Sequence, residues 1–187
     1  MERVPRELFV PEDVRDLAYE DAALPLACGQ TVSQPFVVAF ICQSLALEGE
    51  ERVLDVGTGS GYQAAVLAEL AREVYSIERI AKLAHTAREN LARAGYERVH
   101  VEVGDGTLGL PEHAPYRGIA VAAAAPGLPL PLYDQLAAGA RIVVPIGDPH
   151  DQELRVIERT EEGPRVLRTV PVRFVPLVGQ EGYDGTH

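Results

Sequence analysis

The sequence predicts an α/β fold, a doubly wound and mostly parallel sheet closed at one edge by a C-terminal antiparallel hairpin. Three observations predict it. From Arg52 onward, short apolar runs alternate with longer amphipathic ones, the pattern of buried strands crossed by helices. Glycine-rich turns at 57–61 and 104–106 follow two of those runs, where a chain leaving a strand must turn sharply. Near the end, 153–160 and 165–174 are β-rich runs joined by the turn-forming linker Glu161-Glu162-Gly163-Pro164.

Taken in order, residues 10–19 read as a short helix with proline and two acids in its first turn. Residues 20–34, rich in Ala, Leu, Pro and Gly, read as irregular. Pro35 opens an apolar helix running to about Leu47, with Phe36, Val37, Phe40, Ile41 and Leu45 as its expected buried face. The alternating part gives strands at 52–56, 74–77, 99–103, 119–123 and 141–146. Helices fall between them at 61–70, at 80–94 with Gly95 as a left-handed cap, and at 130–136, closed near Gly139. The 187 residues are expected to form one domain, with 1–48 as an N-terminal helical lid or substrate segment and 49–187 as the sheet core.

Composition narrows the function classes. The formal charge of −11 argues against a generic nucleic-acid binder, which needs a basic surface, and suits a cationic ligand. No apolar run reaches the roughly 18 residues of a membrane span. The opening Met1-Glu2-Arg3-Val4-Pro5-Arg6-Glu7 has no apolar signal segment behind its charges, and Cys28 and Cys42 make neither a Cys-x-x-Cys motif nor a disulfide framework. The cytoplasm is the expected location, with neither membrane nor nucleic acid as a partner. The five histidines, His85, His100, His113, His150 and His187, form no ligand pair, and no metal-ligand spacing is present, so surface positions are expected.

The chemistry-bearing stretch is Asp55-Val56-Gly57-Thr58-Gly59-Ser60-Gly61-Tyr62, between a buried strand and a helix. Glycines let the backbone approach a ligand closely, and free N–H groups at the helix start can hold its polar atoms. A dinucleotide fingerprint wants Gly-x-Gly-x-x-Gly, but position 62 is tyrosine and the third glycine comes early, at Gly61. Gly-x-Gly-x-Gly behind an acid, here Asp55, resembles the loop of S-adenosylmethionine-dependent methyltransferases instead. An ordinary tight turn would explain the loop alone. Glu78 then lies 21 residues after Gly57 at a strand end, the spacing of an acid that accepts hydrogen bonds from a ribose diol, with Arg79 beside it. Gly104-Asp105-Gly106 follows the next strand, where Asp105 could reach an adenine amine or merely form an Asx-turn. Ligands of such sheets bind at the carboxyl ends of the strands, and three features there point to one site.

These motifs and their flanks resemble protein-L-isoaspartate O-methyltransferases along nearly the whole chain. The resembling stretches are Val4-Pro5-Arg6-Glu7-Leu8-Phe9, Gly29-Gln30-Thr31-Val32-Ser33-Gln34-Pro35, Gly57 to Ala65, Ala123-Ala124-Ala125-Pro126, and Val172 to Gly179. The first, second and last are not general to methyltransferases and carry the substrate expectation. The chain departs from the family at Arg117-Gly118, where an acid is common, and at Ala123 and Val178, where threonine occurs.

The resemblance implies a Rossmann-like methyltransferase fold that uses S-adenosylmethionine and no metal. It implies transfer of a methyl group to the free α-carboxylate of an L-isoaspartyl residue in damaged peptides and proteins; the ester then cyclises to a succinimide that hydrolyses partly to normal aspartate. A carboxylate is ionised at neutral pH, so the reaction needs alignment and partial exclusion of water rather than a general base. The implied cofactor contacts are Thr31, Val32, Ser33, Asp55, Gly57, Thr58, Gly59, Glu78, Arg79, Asp105 and Gly106. Ser33 is the implied catalytic residue, although a serine two residues before Pro35 also reads as a helix cap. Two other readings stay open: a methyltransferase with a small-molecule or RNA acceptor, and a non-catalytic S-adenosylmethionine-binding module.

Overall fold

The computed structural model describes residues 1–184; the expected surface position of His187 lies outside them. The sheet has seven strands: β3 (Arg52–Val56), β4 (Glu73–Glu78), β5 (Val99–Val103), β6 (Tyr116–Val121), β7 (Leu136–Gly147), β8 (Gln152–Thr160) and β9 (Gly163–Val172). Their spatial order is β5-β4-β3-β6-β7-β8-β9. The first five pair in parallel, whereas β7–β8 and β8–β9 are antiparallel. The chain therefore winds outward in both directions from the β3/β6 boundary, and the expected terminal hairpin closes one edge.

Helices α1 (Pro35–Ser44), α2 (Tyr62–Ala68) and α3 (Ala81–Arg93) pack against one face of the sheet. The other face is covered by α4 (Leu130–Asp134), the 3-10 turn Pro111–His113 and the C-terminal segment through Leu177. Alternate residues of β3 enter opposite cores, Val53 on the helical side and Leu54 on the other, so the strand is buried on both faces. Val4, Phe9, Val10 and Leu24 join the core under α1 and α2, so residues 1–48 share the sheet's core.

Several boundaries differ from expectation. The helix expected at 10–19 is a 3-10 helix, Glu12–Leu17. The stretch expected to be irregular contains a two-stranded hairpin, β1 (Leu24–Pro25) and β2 (Thr31–Val32). Helix α1 stops at Ser44, and its inward residues are Val38, Ile41, Cys42 and Ser44. Phe36 is 59% exposed, because a residue two positions before Val38 points to the opposite side of a 3.6-residue turn. Strand β6 begins at Tyr116 rather than 119 and ends at Val121.

The largest correction concerns 130–140. Helix α4 ends at Asp134, and Gly139 does not close it but lies inside β7 at φ +71°. Leu136 pairs with Tyr116 and Arg141 with Gly118, so the small residues between them form an irregular insert opposite a single residue, Arg117.

Candidate functional site

At the carboxyl ends of β3 and β6, where the winding reverses, the chain forms a cavity of about 800 Å³. That lies within the size range of small-molecule sites. The loop after β3 makes its inner wall. Gly57, Gly59 and Gly61 have φ of +91°, +54° and +90°, a region closed to most side chains. At Gly61 a Cβ would also sit 3.2 Å from Leu91 Cγ, so glycine lets the start of α2 lie against α3.

Glu78, at the end of β4 and 7% exposed, organises this wall. Its Oε2 accepts the Gly59 N–H at 2.9 Å and its Oε1 accepts the Ile80 N–H at 2.9 Å. One carboxylate thus fixes both the glycine loop and the entry to α3. Each oxygen keeps a further lone pair for a ligand hydroxyl.

Behind the loop lies a buried polar network. Gln63 Nε2 donates to Asp55 Oδ1 at 2.7 Å, and Ser76 Oγ donates to Asp55 Oδ2 at 2.7 Å. Ser76 Oγ lies 2.6 Å from Thr58 Oγ1; with the serine proton committed to Asp55, Thr58 is the donor there. Asp55 is fully buried, and burial pushes its carboxyl up from 3.8 to about 6; the Gln63 and Ser76 bonds oppose the rise and the Glu78 charge adds to it. Gln63 Oε1 is buried without a partner, on a residue that lines the cavity.

The outer wall comes from β2 and the residues after it. Thr31, Val32 and Ser33 face the glycine loop across the cavity, with Phe36 beside them. The Ser33 hydroxyl makes no hydrogen bond among the described residues, and it does not cap α1. Gln34 occupies the cap position without a side-chain cap bond. Instead Asp21 reaches across: its Oδ1 accepts the Phe36 N–H at 3.0 Å and its Oδ2 accepts from Gln34 Nε2 at 3.0 Å. Beneath the segment Arg6, only 1% exposed, donates from Nη2 to the Ser33 carbonyl at 2.9 Å and from Nε to the Ala18 carbonyl at 2.7 Å.

The C-terminal segment completes the rim. Ala124 N–H donates to Val175 O at 2.8 Å and Leu177 N–H to Ala124 O at 2.7 Å, which brings 174–178 to the cavity. Asp105 acts as its latch: Oδ2 accepts the Gln180 N–H at 2.8 Å, and Oδ1 accepts from the Thr107 amide and hydroxyl at 2.9 and 2.7 Å. Burial pushes the Asp105 carboxyl up, but those donors outweigh it and hold it below its ordinary value.

Of the sequence-predicted site residues, Thr31, Val32, Ser33, Gly57, Thr58, Gly59, Glu78, Arg79 and Gly106 line this one cavity. Asp55 and Asp105 do not. Asp55 sits behind the loop and Asp105 beneath the C-terminal segment, each with both oxygens accepting hydrogen bonds from the chain. Ala123 and Val178 line the cavity, whereas Arg117 and Gly118 lie toward the far end of β6, with Arg117 donating to Ala138 O at 3.1 Å. Sequence reasoning missed Arg6 and Asp21, whose partners lie 12 to 27 residues away, and Gln63, which reaches back 8 residues to Asp55. It also missed a group with metal-ligand chemistry, Glu102, Glu112 and His113, whose ligand atoms lie within 4.8 Å of one another. None of the three lines the cavity, and His113 Nε2 already lies 3.2 Å from Glu102 Oε1 near the surface.

Comparison with known proteins agrees with this geometry. The model of the family protein-L-isoaspartate(D-aspartate) O-methyltransferase matches residues 1–182. A protein-L-isoaspartate O-methyltransferase 2 of Marinobacter nauticus is 56% identical over 185 residues, covering 98% of this chain and 84% of that protein. A solved protein-L-isoaspartate O-methyltransferase superposes with a TM-score of 0.87 at 30% identity, over 96% of this chain and 60% of that one. A Plasmodium falciparum structure described as a beta-aspartate methyltransferase of the same family, in complex with S-adenosyl-L-homocysteine, gives a TM-score of 0.77 at 25% identity over 95% of this chain and 87% of that one. With one family model spanning the sheet, the glycine loop and both flanking segments, the chain belongs to the protein-L-isoaspartate O-methyltransferase family.

Proposed function

We propose that the chain is a repair enzyme that moves the methyl group of S-adenosylmethionine to the free α-carboxylate of L-isoaspartyl residues in damaged peptides and proteins. The observation that carries this reading is one cavity bounded by two kinds of wall. A glycine loop with its Glu78 brace stands on one side, and the family-specific segments 31–33 and 174–178 stand on the other.

The cavity's residues fit the cofactor. Glu78 offers acceptors to a ribose diol. The orphaned Gln63 Oε1 offers a buried acceptor to the ammonium of an amino-acid moiety, and Gly106, where a Cβ would meet Val56 Cγ1 at 2.8 Å, lets the chain pass close over β3 at the cavity wall. Bound there, S-adenosylmethionine supplies an electrophilic methyl group on a sulfonium.

The chain's own work is alignment. The backbone of Gly57–Gly59 and the Glu78 carboxylate hold one reactant, while Thr31, Val32 and Ser33 cover it and limit water. Ser33, with a hydroxyl free of protein partners, is the residue we assign to orient the incoming carboxylate. A substrate already ionised needs no base, and an oxygen of its carboxylate forms the new bond to carbon as the carbon–sulfur bond breaks. Asp55 and Asp105 act indirectly, the first by holding the loop and the second by latching the C-terminal rim. We take residues 1–48 as the lid and substrate segment and 49–187 as the core.

Among the described residues no helix is long and apolar enough to cross a membrane. The cytoplasm is the compartment we assign, on the free thiols Cys28 and Cys42. Neither a membrane nor a nucleic acid is assigned as a partner. Radiolabelled S-adenosylmethionine and an isoaspartyl peptide test the reaction class: a base-labile methyl ester is expected. A base-stable product would place the methyl on another kind of atom and overturn the reading.

A further inference from the structure

Arg6 is an anomaly of the fold. A guanidinium 1% exposed is expected to face a carboxylate, yet no carboxylate lies within ion-pair distance of it among the described residues. It bonds two carbonyls from separate segments, Ala18 O and Ser33 O, and its Cζ lies 4.6 Å from the centroid of the Tyr62 ring at the start of α2. Nη1 has no partner. Tyr62 and Ser33 both line the cavity, so the side chain ties the outer wall to the first residue of the helix that follows the glycine loop.

Its location explains the residue type. Three segments meet there, and only a planar fork can donate to two carbonyls while its face lies on an aromatic ring. A lysine ammonium has three donors but a single nitrogen and no planar face, so it cannot donate from two separated atoms while stacking on the ring. The grip on Ser33 is also directional. Arg6 holds the Ser33 carbonyl from below while Asp21 holds the Gln34 side chain and the Phe36 amide, so the peptide after Ser33 is fixed from both sides. With that peptide fixed, the Ser33 backbone cannot turn freely, and the place from which its hydroxyl projects at the cavity wall is set.

We propose that Arg6 is a positioning residue for methyl transfer: by holding the Ser33 carbonyl it fixes the outer wall at the geometry in which the acceptor carboxylate meets the methyl group. This rests on the function proposed above. It assigns to the buried charge a role in alignment that packing alone would not give.

The test uses Arg6→Met, which keeps the volume and removes the grip, and Arg6→Lys, which keeps the charge with one nitrogen. Both are assayed well below their melting temperatures. Turnover of an isoaspartyl peptide by the wild type is the control; its absence would sink the functional reading itself rather than the role of Arg6. For Arg6→Met we expect kcat/KM on that peptide to fall ~100-fold, the order expected of a reactant misplaced by about an ångström. Amide hydrogen exchange should rise across 31–36 and stay unchanged across 52–56. For Arg6→Lys a loss of about tenfold is expected, with near-native melting. Wild-type kcat/KM in either folded variant would overturn the proposal, as would an activity loss in Arg6→Met with unchanged exchange at 31–36. A lowered melting temperature with intact turnover would leave Arg6 as packing only, against the proposal. Should Arg6→Met fail to fold, Arg6→Lys decides by the same criteria.

Discussion

Asp55 offers a test of the cofactor loop that needs no ligand. It is wholly buried, its folded value lies at about 6 against an ordinary 3.8, and burial is the dominant cause. A carboxyl whose folded value lies above its unfolded one takes up a proton on folding. Stability therefore rises as pH falls through 6 and stops rising below 3.8. Between pH 8 and pH 5 this group alone should add about 1.4 kcal/mol, or about 3–6 °C in melting temperature for a chain of this size. The carboxyls of Glu51, Glu73, Asp105 and Asp148 are held below their ordinary values, so the stability they contribute is lost only at lower pH, outside this window. The network can accept the proton, because Gln63 has an unpartnered Oε1 and can turn its amide to take the new donor. Asp55→Asn imitates the protonated state and should abolish the rise while keeping the fold. Thermal melts of both proteins from pH 8 to pH 5 make the comparison. A flat wild-type profile, or the same rise in Asp55→Asn, would refute the account of a buried charge beneath the loop.

Other predictions concern residues that face the cavity or brace it. Glu78→Gln keeps one acceptor and turns an NH₂ toward either Gly59 or Ile80, so affinity for S-adenosylhomocysteine should weaken by about 1–3 kcal/mol, roughly 5- to 150-fold. Unchanged affinity by calorimetry would remove Glu78 from the ribose role. Ser33→Ala should leave the melting temperature near wild type, because Asp21 secures the start of α1, and should lower turnover. Ser33→Asp should fold and bind cofactor yet be nearly inactive through repulsion of the substrate carboxylate, and full activity in it would exclude Ser33 from substrate contact. Asp105→Ala frees the Gln180 amide, so hydrogen exchange across 177–183 should rise and cofactor affinity should fall, with the fold retained. Unchanged exchange there would show that Asp105 is not the latch.

The parallel core was legible because each strand is a short apolar run with a fixed stop. Arg52–Val56 ends at Gly57 and Val99–Val103 at Gly104, and both match the structure to the residue. The stretch 137–140 was not legible: Ala-Ala-Gly-Ala has no periodicity to separate a helix end from an irregular strand start, and pairing with Tyr116 decides the matter. Phe36 misled because a helix as apolar as Pro35–Ser44 lets more than one face read as buried, and the phase set by Val38 and Ile41 turned it toward the cavity mouth.

At the site, glycine spacing and the distance from Gly57 to Glu78 located the inner wall, since both are local to one strand–helix–strand unit. The roles of Asp55, Asp105 and Ser33 depended on partners that no local window contains. Asp105 meets Gln180, and Ser33 meets Arg6 while Asp21 takes over the capping task. The same long range hid Arg6, whose place in Val4-Pro5-Arg6-Glu7 gave no sign that its charge would be buried against Tyr62.

The most direct measurement of the central claim is kcat/KM for one peptide in two forms, with L-isoaspartate or normal L-aspartate at a single position. Charge and composition are then identical, and only the placement of the α-carboxylate differs. The account predicts methyl transfer to the isoaspartyl form and near-background transfer to its twin. Equal rates on the two, or transfer to neither while S-adenosylmethionine binds, would contradict it.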